Sequence, residues 1–379
     1  MKIAILGHGV VGSGVSKIIE ESCSDEIAIA KILVRYENEM KDDRFTLDYE
    51  TIVNDTDIDT VVECMGGDEP AHTYVRRALE AGKNVVSANK KMLARHLDLF
   101  DIAKEKGMKL LVEASVGGGI PWLVSLRKMR RDDHIRQIAG IMNGTTNYLL
   151  SRLFSEDISF NDALSNAQEL GYAERDPSDD ICGHDVRYKT CLSALKAFDL
   201  VVDEKKIPTF GIENIDDKDI AYARDNGRVI KLIGRAEYMD GKLNAYVMPS
   251  FVKKDSLFAS VSSNNNILMS ESKYLGKAYF VGQGAGSLPT GHAIVQDLED
   301  LANDMVDEEA ETITRKDVDN EKEGTFYIRC SDMEGFNDMI DKKIDDQSFI
   351  TKRCKVYDLV KKIEGLNDEK LFIGEILDD

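Results

Sequence analysis

The run Lys2-Ile3-Ala4-Ile5-Leu6 leads without a spacer into Gly7-His8-Gly9-Val10-Val11-Gly12, and that in turn opens a helical pattern, GSGVSKIIEES. A short apolar run ending in glycine reads as a strand buried on both faces. Between such a strand and a helix, GxGxxG leaves the chain little freedom. The first glycine makes the tight turn, the second lets a pyrophosphate approach the main chain, and the third lets helix pack on strand, with the helix dipole favouring the anion. A purely structural turn would use the same glycines. The motif therefore supplies candidate dinucleotide contacts at Gly7, Gly9, Val10, Val11 and Gly12 rather than an activity.

The alternation continues. IAIAKILV at 27–34, TVVECMG at 60–66, NVVSAN at 84–89 and KLLVEASVGGGIP at 109–121 are strand-like, with AHTYVRRALEAGK and ARHLDLFDIAKEKG helical between them. This order predicts a doubly wound parallel sheet of Rossmann type over residues 1–117. Farther on, long helical patterns (WLVSLRKMR, TTNYLLSRLF, FNDALSNAQELG, HDVRYKTCLSALKAF) mix with strand-like RQIAGIM, NAYVMPSFV and KAYFVG, which predicts a second α+β domain over 118–287. A late helix, HAIVQDLEDLANDMV, is expected to return to the first domain through about 288–312. The charged run TRKDVDNEKEG at 314–324 reads as a linker, and 325–379 as a small β-α-α-β unit. A chain of 379 residues is long enough for two or three such domains.

Charge narrows the partners. With 49 basic against 69 acidic residues the net charge is −20, which repels nucleic acid and anionic membrane at long range and requires any phosphate site to be local. No stretch reaches the roughly 18 uninterrupted apolar residues that span a bilayer. The six cysteines (Cys23, Cys64, Cys182, Cys191, Cys330, Cys354) form no CxxC pair and no zinc spacing, so they read as reduced thiols of a cytoplasmic protein. The six histidines show no ligand spacing either, which argues against a zinc or divalent site.

An acid that holds an adenosine ribose belongs near the end of the second strand, roughly 20 residues past the glycines. That end here is Val34-Arg35-Tyr36. An arginine pairs with a 2′-phosphate, which favours NADP, while Glu37 keeps NAD open. A solvated strand end is the plain alternative for Arg35.

Five segments point one way together: VECMGGDEPAHTYVRRALEAGKNVVSANKKMLA (62–94), VEASVGGGIP (112–121), IMNGTTNYLL (141–150), ELGYAERDPSDDICGHDVRYK (169–189) and GQGAGSLPTGHAIVQDL (282–298). In order and spacing they resemble homoserine dehydrogenase, over about residues 1–312. The resemblance implies a Rossmann-type nucleotide domain, a substrate domain that also supplies a dimer interface, and NAD(P)-dependent reversible reduction of L-aspartate 4-semialdehyde to L-homoserine. His8 and Cys64 depart from the small or apolar residues usual at those places, which touches only local cofactor contacts.

Such a reaction moves a hydride to an aldehyde carbon and a proton to its oxygen, and needs charged groups for the amino-acid end of the substrate. Asp185 and Lys189 stand four apart at the start of a helical run, so they share a face. Alone they would be an exposed ion pair worth a few tenths of a kcal/mol. The apolar CLSALKAF that follows argues instead for a buried helix, and a buried lysine near carboxylates can be tuned to move a proton. The resemblance assigns Lys189 as the catalytic lysine, Asp185 as a substrate-binding carboxylate and Glu174 as the group for the substrate's ammonium, with Gly171 and Tyr172 beside it. Lys90, directly after Ala88-Asn89 at the carboxyl end of a strand, matches the second family lysine, which contacts substrate and cofactor; Lys91 is read as its solvated neighbour.

EASVGGGIP is by itself a flexible connection. The resemblance makes it a monovalent-cation site, sodium or potassium, at Glu113, Val116, Gly118 and Ile120. Asn143 to Asn147 would cap a helix near the substrate, and Gly284 and Gly286 would close over the nicotinamide. Residues 325–379 have roughly the order of an ACT-like, ferredoxin-like appendage but lack the usual proline-glycine turn, so a packing or dimerisation role is expected there and feedback by threonine is unsupported. The competing reading is a Rossmann-fold sensor without chemistry, or another amino-acid semialdehyde dehydrogenase. The presence of Lys189, Lys90 and Asp185 together speaks against the sensor, and the lack of a cysteine in a nucleophile-like setting speaks against an acyl-enzyme.

Overall fold

The structure, a computed structural model, describes residues 1–23, 26–156, 158–306 and 314–378. The chain divides into two compact units, Met1–Lys128 with Gly282–Ile313, and Met129–Val281 with Thr314–Asp379.

In the first unit six parallel strands lie in the spatial order Phe45–Thr46, Ala28–Leu33, Lys2–Leu6, Thr60–Glu63, Asn84–Ser87, Leu110–Leu111. The strand order reverses between Lys2–Leu6 and Thr60–Glu63, which opens the crevice at the carboxyl edge where such sheets bind ligands. Ile3, Ile5, Val61, Val62, Val85 and Val86 are fully buried, as near-continuous apolar strands require. KLLVEASVGGGIP gives only Leu110–Leu111 to the sheet. Gly117 and Gly118, at φ +81° and +59°, turn the chain away.

Helix Val10–Ile18 packs on helix Ser287–Ala302, the late helix expected to return here; residues 307–312 of that expectation lie outside the described residues. The contact is made at Gly14, where a Cβ would sit 2.3 Å from the Ser287 carbonyl oxygen.

The second unit is built on a nine-stranded mixed sheet. Its long hairpin, Arg228–Met239 and Lys242–Lys253, pairs Met239 with Lys242 across Asp240-Gly241, both at positive φ, the two-residue turn whose twist suits antiparallel strands. Helix His184–Phe198 lies against this sheet so closely that a Cβ on Gly234 would fall 2.2 Å from Thr190 Oγ1.

Residues 325–379 correct the sequence reading. GFNDMIDKKI forms only the 3-10 turn Glu334–Phe336 and the strand Ile340–Lys343, because glycine, asparagine and aspartate are weak helix formers and Phe336 is pulled into the core. Val356–Ile363 is the segment's single α-helix among the described residues. The segment is also not a separate appendage. Strand Phe372–Ile376 runs parallel to Lys242–Lys253 and carries Phe326–Arg329, Ser348–Thr351 and Ile340–Lys343 into the same sheet. Arg329 and Tyr327 both donate to the fully buried Asp219, at 2.9 Å, which ties the segment down. The expected linker is likewise paired at both ends, Thr314–Arg315 with Leu200–Val201 and Glu323–Gly324 with Cys354–Lys355.

Among the described residues no helix is long and apolar enough to cross a membrane. Replacing Gly14 by valine should lower stability by about 1–3 kcal/mol through the forced separation of the two helices. Urea denaturation reads this directly, and an unchanged midpoint would show that the close contact is not needed.

Candidate active site

At the end of strand Lys2–Leu6 the main chain turns through Gly7 at φ +89°, and a Cβ on Gly12 would lie 2.1 Å from the Gly7 carbonyl oxygen. These two glycines are demanded by the turn itself. Gly9 is different: a Cβ there would meet nothing within 4 Å, so its bareness faces open space at the N-terminus of helix Val10–Ile18. That is the place and chemistry for a pyrophosphate. Val10 is 70% exposed beside it. His8 turns inward, with Nε2 3.2 Å from Ser16 Oγ and its ring edge-on to Phe45; burial, then Lys41 and Arg44, push its pKa down.

Arg35 is exposed past the second strand, its guanidinium 5.2 Å from the Tyr36 ring centroid. Its main-chain N–H and that of Tyr36 both donate to Glu39 Oε2 at 2.9 Å, so Glu39 is occupied by the backbone, while Glu37, the acid that keeps NAD open, is exposed.

Lys90 opens helix Lys90–Arg95 at the carboxyl edge of the sheet, with Asn89 as the cap accepting from Met92 N at 3.2 Å. Ala88 is half-buried ahead of it. Lys91, expected to be solvated, is as half-buried as Lys90, so exposure does not separate the two lysines.

The two remaining glycine-rich segments of this unit meet. A Cβ on Gly118 would lie 2.6 Å from the carbonyl carbon of Gly284, and one on Gly282 would lie 3.1 Å from Ile120 Cγ1. Gly286, at φ +132°, starts helix Ser287–Ala302. Glu113 does something the sequence did not disclose: its two carboxylate oxygens accept the N–H groups of Leu123, at 3.1 Å, and Val124, at 2.6 Å, at the start of helix Leu123–Met129. Burial nevertheless pushes its pKa up to about 7. The oxygens expected to face a cation are thus engaged by a helix N-terminus. The Ile120 carbonyl accepts from Trp122 N at 2.8 Å.

In the second unit the helical pair is buried. Lys189 Nζ donates to Asp185 Oδ2 and to the Met142 carbonyl, each at 2.7 Å, and the two side chains are only 9% and 6% exposed. Gly183, at φ +79°, turns the short helix Ser178–Ile181 back into His184–Phe198, which returns Asp180 to the same place as Asp185. Asn143 holds the two acids together. Its Nδ2 donates to Asp180 Oδ1 at 2.6 Å and to Asp185 Oδ2 at 2.8 Å, while its Oδ1 caps helix Gly144–Ser155 by accepting from Thr146 N at 2.8 Å. Burial raises the Asp180 pKa and the neighbouring Asp185 raises it further.

The sequence gives no sign of Asp180 as part of this cluster, and of Asn143 only that it caps a helix near the substrate. The signal that could have found Asp180 is the glycine between two helical segments, since a left-handed turn there folds one onto the other. Glu174 stays outside this hydrogen-bonded cluster: it is exposed, and its main-chain carbonyl accepts from Gln168 Nε2 at 3.0 Å. Gly171 is at φ +74°, and the partly exposed Tyr172 packs 5.0 Å from the Tyr148 ring, its carbonyl accepting from Thr145 Oγ1 at 2.6 Å.

Known proteins resemble this chain in sequence and fold. Residues 7–113 match the family profile for the homoserine dehydrogenase NAD binding domain, and residues 121–298 match that for homoserine dehydrogenase. A homoserine dehydrogenase of Lactococcus lactis is 34% identical over 363 residues, covering 90% of this chain and 81% of that protein. One from Synechocystis is 38% identical over 313 residues, 79% of this chain and 72% of its own length. The crystal structure of a homoserine dehydrogenase from Thiobacillus denitrificans superposes with a TM-score of 0.88 at 28% identity, over 100% of this chain and 98% of that one. With a nicotinamide-type glycine turn, a buried lysine–aspartate pair and relatives aligned over nearly its whole length, the chain belongs to the homoserine dehydrogenase family, oxidoreductases that interconvert L-aspartate 4-semialdehyde and L-homoserine with a nicotinamide cofactor.

Proposed function

We propose that Lys189 moves the proton in this reaction and that NADP is the preferred hydride carrier. A bound nicotinamide would supply the hydride for the aldehyde carbon, and in the reducing direction the Lys189 ammonium gives the carbonyl oxygen its proton. The observation that carries this reading is the burial of Lys189 between Asp185 and the Met142 carbonyl. An ammonium has three N–H donors, so two hold it in place and the third is left for the substrate oxygen. A sensor without chemistry would have no use for so costly a buried charge.

Asp185 binds the substrate together with Asp180, and Asn143 bridges the two acids by donating to both. Lys90 orients substrate and cofactor, and Glu174, with Gly171 and Tyr172 on its loop, is assigned the substrate's ammonium. Gly7, Gly9, Val10, Val11 and Gly12 cradle the cofactor phosphates, with Ala88, Gly284 and Gly286 toward the nicotinamide. Arg35 supports NADP because it is an exposed cation past the end of the second strand, where a 2′-phosphate would lie. Main-chain carbonyls of Val116, Gly118 and Ile120 offer the hard oxygen ligands that suit sodium or potassium; Glu113, its carboxylate committed to a helix start, shapes that loop rather than binding the ion through its side chain. A cytoplasmic homodimer formed through the second unit is supported by an exposed apolar tip, Tyr274-Leu275, leading into the edge strand Gly276–Gln283.

Replacing Lys189 by alanine should abolish homoserine-dependent NADP reduction while leaving NADP affinity, measured by fluorescence titration, nearly intact; retained turnover would remove Lys189 from its role. Asn143→Ser keeps a good cap but cannot bridge two carboxylates, so the melting temperature should hold while kcat/KM falls about ten- to a hundredfold. Parallel loss of both would reduce Asn143 to a cap. Arg35→Ala should raise the KM for NADP selectively and leave that for NAD little changed, and equal effects on both cofactors would sink the 2′-phosphate contact.

A further inference from the structure

Glu63 ends the strand Thr60–Glu63 with its side chain fully buried, and each group that hydrogen-bonds to it is a neutral donor. Ser87 Oγ donates to Oε2 at 2.6 Å; Met65 N and Asn89 Nδ2 donate to Oε1 at 2.8 and 3.3 Å. Burial raises its pKa against these bonds. A carboxylate costs far more to bury than an amide, so a chain needing only to close a strand end would not keep one here.

Its arrangement explains what the carboxylate does. Asn89 is the pivot of the loop that delivers Lys90. Its Oδ1 caps helix Lys90–Arg95, its Nδ2 donates to both Glu63 and the Gly67 carbonyl, and its main-chain N–H donates to Ser87 Oγ, which in turn donates to Glu63. Glu63 Oε1 and the Gly67 carbonyl, both accepting from Nδ2, fix which way the Asn89 amide faces and leave the amide oxygen for Met92 N. The same acid also holds the turn at Met65, next to the glycines Gly66 and Gly67.

We propose that Glu63 is the positioning residue for Lys90: an acceptor-only group that locks the Asn89 cap, and with it the first turn of the Lys90 helix, at the cofactor edge of the sheet. This rests on the role assigned to Lys90 above. Glu63→Gln has the same shape but replaces one acceptor oxygen with a donor among groups that now donate to it, so the Asn89 loop loses part of its support and is held chiefly by the Gly67 carbonyl.

The test compares Glu63→Gln with Val62→Ala, a packing change at the neighbouring, equally buried position. Glu63→Gln should lower kcat for homoserine oxidation about ten- to a hundredfold while the NADP dissociation constant, set by the glycine turn, stays within about twofold. Hydrogen exchange in the peptide covering Lys90–Arg95 should quicken in Glu63→Gln and stay slow in Val62→Ala, which should instead lose melting temperature with kcat retained. Unchanged exchange in Glu63→Gln, or quickened exchange with an unchanged kcat, overturns the proposal. A wild-type protein inactive toward homoserine, yet showing the same exchange difference, would sink the role assigned to Lys90 and leave its positioning by Glu63 standing.

Discussion

Keeping an ammonium inside the second unit is the constraint around which that unit is arranged. An ion of this kind, taken from water, carries a desolvation penalty of several kcal/mol and stays charged only where acceptors meet it at good geometry. Lys189 has two, and both depend on other elements. The Met142 carbonyl is positioned by the end of strand Ile135–Ile141, and Asp185 by the left-handed turn at Gly183. Their convergence requires the helix to lie closer to the sheet than an ordinary side chain allows. Gly234 provides that space, with Thr190 bonded back to the Val186 carbonyl at 2.8 Å so that its hydroxyl is satisfied in the contact. A second acid, Asp180, then enters the same volume, and Asn143 becomes necessary as the neutral donor between two carboxylates.

The first unit follows the opposite logic, since its site is made by removing side chains. Gly7 with Gly12, Gly14 with Ser287, and Gly118 with Gly284 are pairs in which one glycine leaves room for another main chain. Gly9, between Gly7 and Gly12 in the same turn, is bare toward open space. Steric arguments therefore separate a glycine kept for packing from one kept for a ligand, a distinction that the GxGxxG pattern cannot make by itself.

What was legible in the sequence divides along the same line. The parallel sheet, the glycine turn and the Asp185–Lys189 pair could be read because each depends on local spacing: strand, turn and helix follow one another, and four residues make one helical turn. Asp180, Asn143 and Glu63 could not, because their partners lie 37, 42 and 24 residues away and only the fold brings them together. The C-terminal segment misled for a related reason. Its amphipathic runs look like a self-contained unit, yet Asp219, over a hundred residues earlier, holds Arg329 and Tyr327. At Glu113 the two bonds to the N–H groups of Leu123 and Val124 were equally hidden, since a loop acid beside glycines carries no mark of the helix start that its oxygens cap.

A chain with a net charge of −20 that binds an anionic cofactor must attract phosphate without a basic surface. Main-chain N–H groups at a helix start do this without adding a cation, and their pull falls off within a turn, so the surrounding acid does not need to be removed. The same device recurs at Glu113, where a helix start holds a carboxylate of the protein itself. Two side-chain cations stand where a main-chain dipole would not serve: Arg35, where a 2′-phosphate would add charge beyond the reach of the helix, and Lys189, buried against Asp185 and the Met142 carbonyl. A backbone N–H can hold an anion, but it cannot release its proton to a substrate oxygen at neutral pH. A buried lysine can do so, which is a role that a better-placed main chain could not fill.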